Sequence, residues 1–283
     1  MKISVIVPFY HGNQYLTRLI KSIEAAELVT HGLSEYEIII VNDSPEEKVK
    51  IPGTYINIKL ISNGKNQGIQ KSRINGIQAS TGNWILMLDQ DDELIADGFI
   101  NQIELSKEAD VVVGNGVYRL SDVNQIIYSS IKEMDYLIKE ENFIKIRNLI
   151  PSPGECLIKK ECLPDEWMTN LLETNGADDW FLWLLLFKSK AKFACNVEMV
   201  YQHNDSEGNN LSANLEKMKQ SSLEMAGKLF ELKKIDEKEY QSLLHGIEFK
   251  YKQDTKQLTL KDVLKLFDSL YANIIYRSKR NYY

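Results

Sequence analysis

The stretch that most constrains this chain is Trp84-Ile-Leu-Met-Leu-Asp-Gln-Asp-Asp-Glu93, an apolar run that ends abruptly in acid. The consecutive apolar residues Ile85 to Leu88 suit a strand covered on both faces, as in a parallel sheet flanked by helices. Asp89, Asp91 and Asp92 then crowd together where such a strand would end. Neighbouring carboxylates repel, and each raises the pKa of the others. A divalent cation relieves that repulsion, and hard oxygen ligands suit Mg²⁺ or Mn²⁺ shared with substrate phosphates. The competing reading is a solvated strand-to-helix loop in which Asp92 or Glu93 favours the next helix N-terminus.

The surrounding sequence repeats the same theme. Ile3-Ser-Val-Ile-Val7 reads as the first, central strand, which Pro8 stops, with Phe9 to Asn13 as the loop. Leu16, Leu19, Ile20 and Ile23 follow helical spacing and predict a helix over 14–28. Further strands are expected at 37–41, 56–61 and 84–88, with a helix over 69–79. This alternation argues for βαβ units and a parallel sheet. Polar residues cluster after Val7, Val41 and Leu88, and in such sheets ligands sit beyond the carboxyl ends of the strands. Asp43 is then either a turn residue or an acceptor for a base or ribose. Asn66, Gly68 and Arg73 read as a helix entry.

Beyond residue 95 a helix is expected over 95–105, short strands at 110–113 and 117–120, and a helix over 136–148. A loop is expected at Pro151-Ser-Pro-Gly154, followed by a strand at 156–158. Asp178 and Asp179 precede a very apolar helix over 180–188. They are either acids favoured by the helix dipole or a general base beside aromatic rings. A strand over 193–201 delivers His203, a candidate third metal ligand. Helices over 213–233, 236–252 and 259–277 follow, so a boundary near 210 divides a catalytic domain (1–210) from a helical C-terminal extension (211–283).

Bulk properties exclude several classes. The net charge of −6 makes nucleic acid an unsuitable partner. Cys156, Cys162 and Cys195 lack metal-motif spacing and are odd in number, which argues against a disulfide framework. No signal-peptide pattern is read at the N-terminus. The longest apolar run, Trp180 to Phe187, falls far short of the ~20 residues that span a bilayer. A cytoplasmic protein, or one peripheral on the inner face of the membrane, is expected. Residues 271–283 mix aromatic and basic side chains and read either as a membrane-surface contact or as a packed helix with a frayed end. Self-association is left open.

In combination these motifs resemble the family-2 glycosyltransferases with a GT-A fold, of the bacterial, non-processive kind, over residues 3 to about 212. Ile3 to Tyr10 resembles that family's opening strand and P-x-Y loop, with His11 where Asn is usual. Val41-Asn-Asp-Ser-Pro45 is similar to its "VDDGS" loop. Asn66-Gln-Gly68 with Ser72-Arg-Ile-Asn75 is similar to its "N-x-G…ARN-G" helix. Asp89-Gln-Asp-Asp92 resembles its D-x-D motif, and Gly176-Ala-Asp-Asp179 its "G-E-D" stretch, with Asp178 in place of Glu. Val200-Tyr-Gln-His203 with Asn210-Leu-Ser212 is similar to its "Y-R-x-H…S-x-S" ending, with Gln202 in place of Arg.

The resemblance implies an α/β GT-A fold and an inverting, metal-dependent hexosyl transfer from a nucleotide-diphosphate sugar, most simply a UDP-sugar. The acceptor is a hydroxyl on a glycan, lipid-linked glycan or glycoprotein, as in cell-surface polysaccharide synthesis or protein glycosylation. It assigns Asp91 and His203 to Mn²⁺ or Mg²⁺, and Asp179, with Asp178 as runner-up, to the catalytic base. It assigns Pro8, Phe9, Tyr10, Asp43, Asn66, Arg73, Asp89 and Gln90 to the donor. There is no Q-x-x-R-W, so a single transfer is expected rather than polymerisation. Two other classes compete. A nucleotidyltransferase is disfavoured because the loop after the first strand has no Lys or Arg before Arg18. A non-catalytic GT-A-like subunit is disfavoured because Asp91 and Asp179 are present.

Overall fold

The computed structural model describes residues 1–53, 55, 57–119, 124–204, 214–259 and 262. Residues 205–213, which include the Asn210-Leu-Ser212 motif, as well as Ile56, nearly all of the expected 259–277 helix and the 271–283 tail, lie outside the described residues. The chain groups into two compact units. Unit 1 comprises Met1–Met134, Pro151–Leu163 and Ala191–Glu207, and unit 2 Asp135–Ile150, Pro164–Lys190 and Gly208–Tyr283.

All nine described strands belong to unit 1: β1 (Lys2–Phe9), β2 (Glu35–Asn42), β3 (Ile58–Ser62), β4 (Trp84–Met87), β5 (Glu93–Leu94), β6 (Val111–Arg119), β7 (Asn124–Ile126), β8 (Cys156–Lys159) and β9 (Phe193–Asn204). They form one sheet in the order β3-β2-β1-β4-β8-β6-β9-β5, with β7 on β6. β1, β2, β3 and β4 run parallel, and β8 is antiparallel to both β4 and β6. Two reversals restore the direction, so β6 and its parallel neighbour β9 point the same way as β4. The ends of β1, β2, β4 and β9 therefore open on one edge of the sheet, which is how His203 reaches the edge carrying Asp89 to Asp92.

The apolar runs explain the central strands. Ile3, Val5, Ile6, Val7, Ile38 to Val41 and Ile85 to Leu88 are all buried, as strands covered on both faces require. Helix α1 (Leu16–Val29) buries Leu16, Leu19, Ile20, Ile23 and Ala26 on one stripe. Helix α2 (Ile69–Ala79) packs so closely that a Cβ at Gly76 would stand 2.4 Å from Ile6 Cγ2. Helix α3 (Phe99–Leu105) follows a short 3-10 turn over Ala96–Gly98.

Several expectations change. Pro8 does not stop β1, since it pairs with Val41. The last β1–β4 bond is Leu88 N–H to the Ile6 carbonyl, so the N–H that proline lacks falls where β4 has already ended. The strands expected at 110–113 and 117–120 are, as far as Arg119, one long strand, β6, with register shifts around Asn115. The expected helix over 136–148 is broken: α4 (Ile131–Leu137) and α5 (Glu140–Lys145) are separated by Lys139 in an extended conformation. His203 lies within β9 rather than after it.

In unit 2, α6 (Asp165–Thr169) precedes α7 (Asp178–Lys188), and α8 (Leu215–Glu231) and α9 (Glu237–Asp254) follow. Trp180 to Leu186 are buried without a break, the mark of a helix enclosed on every side. Asp236 and Glu239 form a capping box at the start of α9. Among the described residues no helix is long and apolar enough to cross a membrane.

Candidate functional site

The polar edge of unit 1 is built from loops that brace one another. After β2, Asp43 is almost fully buried. Its carboxylate accepts from Asn63 Nδ2 at 2.7 Å, Gln67 N–H at 2.8 Å and Gly68 N–H at 2.8 Å. Asn66 Oδ1 also accepts from Gly68 N–H at 3.1 Å, and Gly68 itself has a φ of +84°, which favours glycine. Asp43 therefore organises the entry to α2. Arg73, buried on α2, places Nη2 2.6 Å from Asp89 Oδ1, a charge-assisted bond.

After β1, Phe9 is fully buried, Pro8 is half-buried, and Tyr10 is the exposed aromatic. Gln90 reaches back to this loop: Oε1 accepts from Tyr10 N–H and Nε2 donates to the Tyr10 carbonyl, each at 2.9 Å. His11 adopts φ +49°, and its ring contacts Glu47 Oε2 at 2.7 Å and Glu46 Oε1 at 3.3 Å.

The acidic turn itself divides in two. Asp89 and Asp91 are half-buried, whereas Asp92 points inward and is 1% exposed. The Asp92 carboxylate accepts from the Tyr201 hydroxyl and from Asn204 N–H at 3.1 Å, and lies 3.1 Å from His203 Nδ1. Burial pushes the Asp92 carboxyl up, and His203 and Tyr201 offset part of that. Burial pulls the His203 imidazole down, but the Asp92 hydrogen bond and the charges of Asp92, Asp91 and Asp89 outweigh it and leave it raised. Burial and the Asp92 charge hold the Tyr201 phenol well above its ordinary value, so it stays a donor. Arg18 on α1 ties the turn down, with Nη2 2.6 Å from the Asp91 carbonyl and Nε 3.0 Å from Glu93 Oε1. Asn204 Nδ2 donates to the same carbonyl at 3.0 Å.

Unit 2 carries the second acidic pair. Asp178 and Asp179 occupy the first turn of α7, inside the helix rather than ahead of it. Asp178 is buried, and its carbonyl accepts from Trp167 Nε1 at 2.7 Å. Asp179 is half-buried, with Oδ2 accepting from Asn148 Nδ2 at 2.9 Å and Oδ1 from Trp180 N–H at 2.6 Å. The approach to this turn needs glycine: Gly176 has φ +143°, and a Cβ there would meet Met218 Sδ at 2.7 Å.

The structure thus brings Pro8, Phe9, Tyr10, Asp43, Asn66, Arg73, Asp89, Gln90, Asp91 and His203 to one edge of unit 1, and holds Asp178 and Asp179 in unit 2. Sequence reasoning missed Arg18, Asn63, Asn148, Tyr201 and Asn204 as supports. Tyr201 and Asn204 flank His203 and were within reach of a pattern argument, whereas Asn148 carries no local signal.

Comparison with known proteins decides the family, since the model of Glycosyl transferase family 2 matches residues 4–166, more than half of the chain. The chain belongs to glycosyl transferase family 2. An uncharacterized glycosyltransferase of Bacillus subtilis, YwdF, is 26% identical over 264 residues, covering 91% of this chain and 95% of its own length. An uncharacterized glycosyltransferase of Haemophilus influenzae is 36% identical over 91 residues, and the match spans 32% of this chain and 29% of that relative. Among solved structures, S. aureus TarS residues 1–349 in complex with UDP-GlcNAc is similar, with a TM-score of 0.66 and 16% identity over 99% of this chain and 88% of that one. At that identity the likeness speaks for the fold, which is GT-A: a mixed α/β sheet with flanking helices, as expected from the sequence.

Proposed function

We propose that this chain moves one sugar from a nucleotide-diphosphate sugar, a UDP-sugar, to an acceptor hydroxyl on a glycan, lipid-linked glycan or glycoprotein, with inversion and with a divalent cation. The observation that carries the reading is the edge of unit 1, where a half-buried Asp89–Asp91 turn stands beside an imidazole that Asp92 orients. Family membership and the UDP-GlcNAc bound by TarS support the choice of donor.

The donor set fits Mn²⁺ or Mg²⁺. Asp92 at His203 Nδ1 leaves Nε2 as the ligating nitrogen, the carboxylate–histidine pairing that orients metal ligands. Among the described residues no three His, Cys, Asp or Glu side chains gather closely enough to hold a metal. Asp91 and His203 would then supply two ligands, with phosphates and water completing the shell. When bound, the cation stabilises negative charge on the departing diphosphate.

The chain's own residues do the rest. Tyr10 flanks the base, Pro8 and Phe9 shape the loop beneath it, and Asn66 and Asp43 hold the α2 entry. Arg73 orients Asp89 for the ribose. Asp179 takes the acceptor proton, held toward that task by Asn148, and Asp178 supports the turn. Residues 1–210 handle the donor, and the C-terminal extension selects the acceptor and, through its tail, touches a partner or a membrane surface.

The test is donor hydrolysis. Purified protein is mixed with UDP-, dTDP- and GDP-sugars, with Mn²⁺, Mg²⁺ or EDTA, and nucleoside diphosphate release is followed. Release from a UDP-sugar that needs the cation and falls at least a hundredfold in Asp91→Ala is expected. Failure to bind UDP with Mn²⁺ in calorimetry sinks the reading.

A further inference from the structure

Gln90 sits in sequence between Asp89 and Asp91, and its amide reaches the loop after β1. Both polar atoms of the side chain are used, and both are used on the backbone of Tyr10. The pattern copies what a neighbouring strand's peptide offers in a sheet, one acceptor and one donor to the same residue. Gly12 makes room for it. A Cβ at position 12 would stand 2.0 Å from Gln90 Oε1 and 2.4 Å from Cδ, so any side chain there evicts the amide. Next to it, His11 turns the loop with φ +49° while its N–H donates to Ser44 Oγ at 3.2 Å.

The Tyr10 backbone is therefore held at both polar groups while the residue stays 50% exposed. A rigid backbone under an open aromatic face lowers the ordering cost of anything that stacks there. The tie also works in reverse. Tyr10 fixes the one residue that separates Asp89 from Asp91, and Arg18 and Asn204 fix the Asp91 carbonyl just beyond it.

We propose that Gln90 is a positioning residue: its amide clasps the Tyr10 backbone, in space that Gly12 leaves open, and locks the Tyr10 ring and the Asp89–Asp91 turn into one register for a nucleoside diphosphate. Gln90, which the resemblance assigned to the donor, serves it in this proposal only through Tyr10 and the turn. The inference rests on the donor reading above and names how that site is held ready.

The experiment is calorimetric titration of the full chain with UDP and with UDP-GlcNAc, each with Mn²⁺, alongside melting curves. Gln90→Ala is expected to weaken both ligands by the same factor, about tenfold, the worth of two neutral hydrogen bonds in a site. Gly12→Ala is expected to do the same by displacing the amide. In the Gln90→Ala background Gly12→Ala should add nothing, because the methyl then has its space. Gln90→Glu keeps the acceptor for Tyr10 N–H but faces the Tyr10 carbonyl with a carboxylate oxygen. It should weaken both ligands at nearly unchanged side-chain size, and it carries the test if Gly12→Ala does not fold. A loss confined to UDP-GlcNAc would mean that Gln90 touches the sugar, and would overturn the proposal. Unchanged UDP affinity in Gln90→Ala, or additive losses in the double variant, would overturn it equally. Wild-type protein that binds neither nucleotide is a separate result and fails the donor reading itself.

Discussion

Replacing Asp92 by alanine tests the inner half of the acidic turn. The Asp92 carboxylate gathers the Tyr201 hydroxyl, Asn204 N–H and His203 Nδ1. Tyr201 is 0% exposed and Asn204 7% exposed, so water does not readily replace the lost acceptor for either. Each orphaned buried donor costs about 1–3 kcal/mol. Two effects pull the other way. The Tyr201 hydroxyl can turn to His203 Nδ1, 3.3 Å away, and a buried carboxylate no longer has to be desolvated. The balance is a loss of about 3 kcal/mol, or a fall in melting temperature of about 6–12 °C for a domain near this size. Urea unfolding followed by circular dichroism measures it. Tyr201→Phe removes one donor from the other side and should cost about 1 kcal/mol. The double variant should lose about 1 kcal/mol less than the sum, because phenylalanine leaves no hydroxyl to orphan. A loss below about 1 kcal/mol in Asp92→Ala, or strict additivity, would refute the claim that this carboxylate is a structural acceptor.

Two further outcomes follow from single contacts. Glu37 Oε1 accepts from Ser4 Oγ at 2.6 Å, Thr81 N–H at 2.6 Å and Gly82 N–H at 3.0 Å. Burial pushes its carboxyl up, but these donors outweigh burial and leave it below its ordinary 4.5. A carboxyl lowered in the folded state adds stability above its unfolded pKa and loses it as pH falls through the folded one. Glu37→Gln should therefore flatten the stability profile below pH 4.5, and an unaltered acid limb in urea titrations at stepped pH would contradict the assignment. Asp179→Asn should lower turnover by about 10²–10⁴ while UDP affinity stays within twofold or so, the pattern of a lost general base; a variant that turns over normally removes Asp179 from the reaction.

How much of this was legible in the sequence follows from how far apart the interacting residues lie. The apolar runs at 3–7, 37–41 and 84–88 announced buried parallel strands, because one apolar run is enough to specify a strand covered on both faces. The polar residues after them had to share an edge once the strands were parallel. Asp43 was legible as important, but its bonds to Asn63, Gln67 and Gly68 were not, since these residues are positioned by a different strand and helix. Asp92 read either as part of the acidic cluster or as an acid at the next helix N-terminus. Only the return of β9, 109 residues later, reveals Tyr201 as its partner. The break between α4 and α5 carries no Gly or Pro. It depends on Asn142 Nδ2 donating to the Tyr136 carbonyl at 2.6 Å, a side-chain stop that composition does not advertise.

The place of β9 in the sheet has a consequence for biosynthesis. It lies between β6 and β5, and among the described residues β5 has no other strand neighbour. Besides Arg18 and Arg73, the acidic turn just before β5 draws three anchors, Tyr201, His203 and Asn204, from β9. A nascent chain that has emerged only as far as β8 therefore carries every residue of the Asp89–Asp92 turn but none of those three anchors. Closing it requires contacts more than a hundred residues apart in sequence, the kind that form slowly. The ribosome must release β9 before the inner half of the turn can set, so a message truncated ahead of that strand yields a polypeptide in which Arg18 and Arg73 are present but Asp92 has none of these three partners.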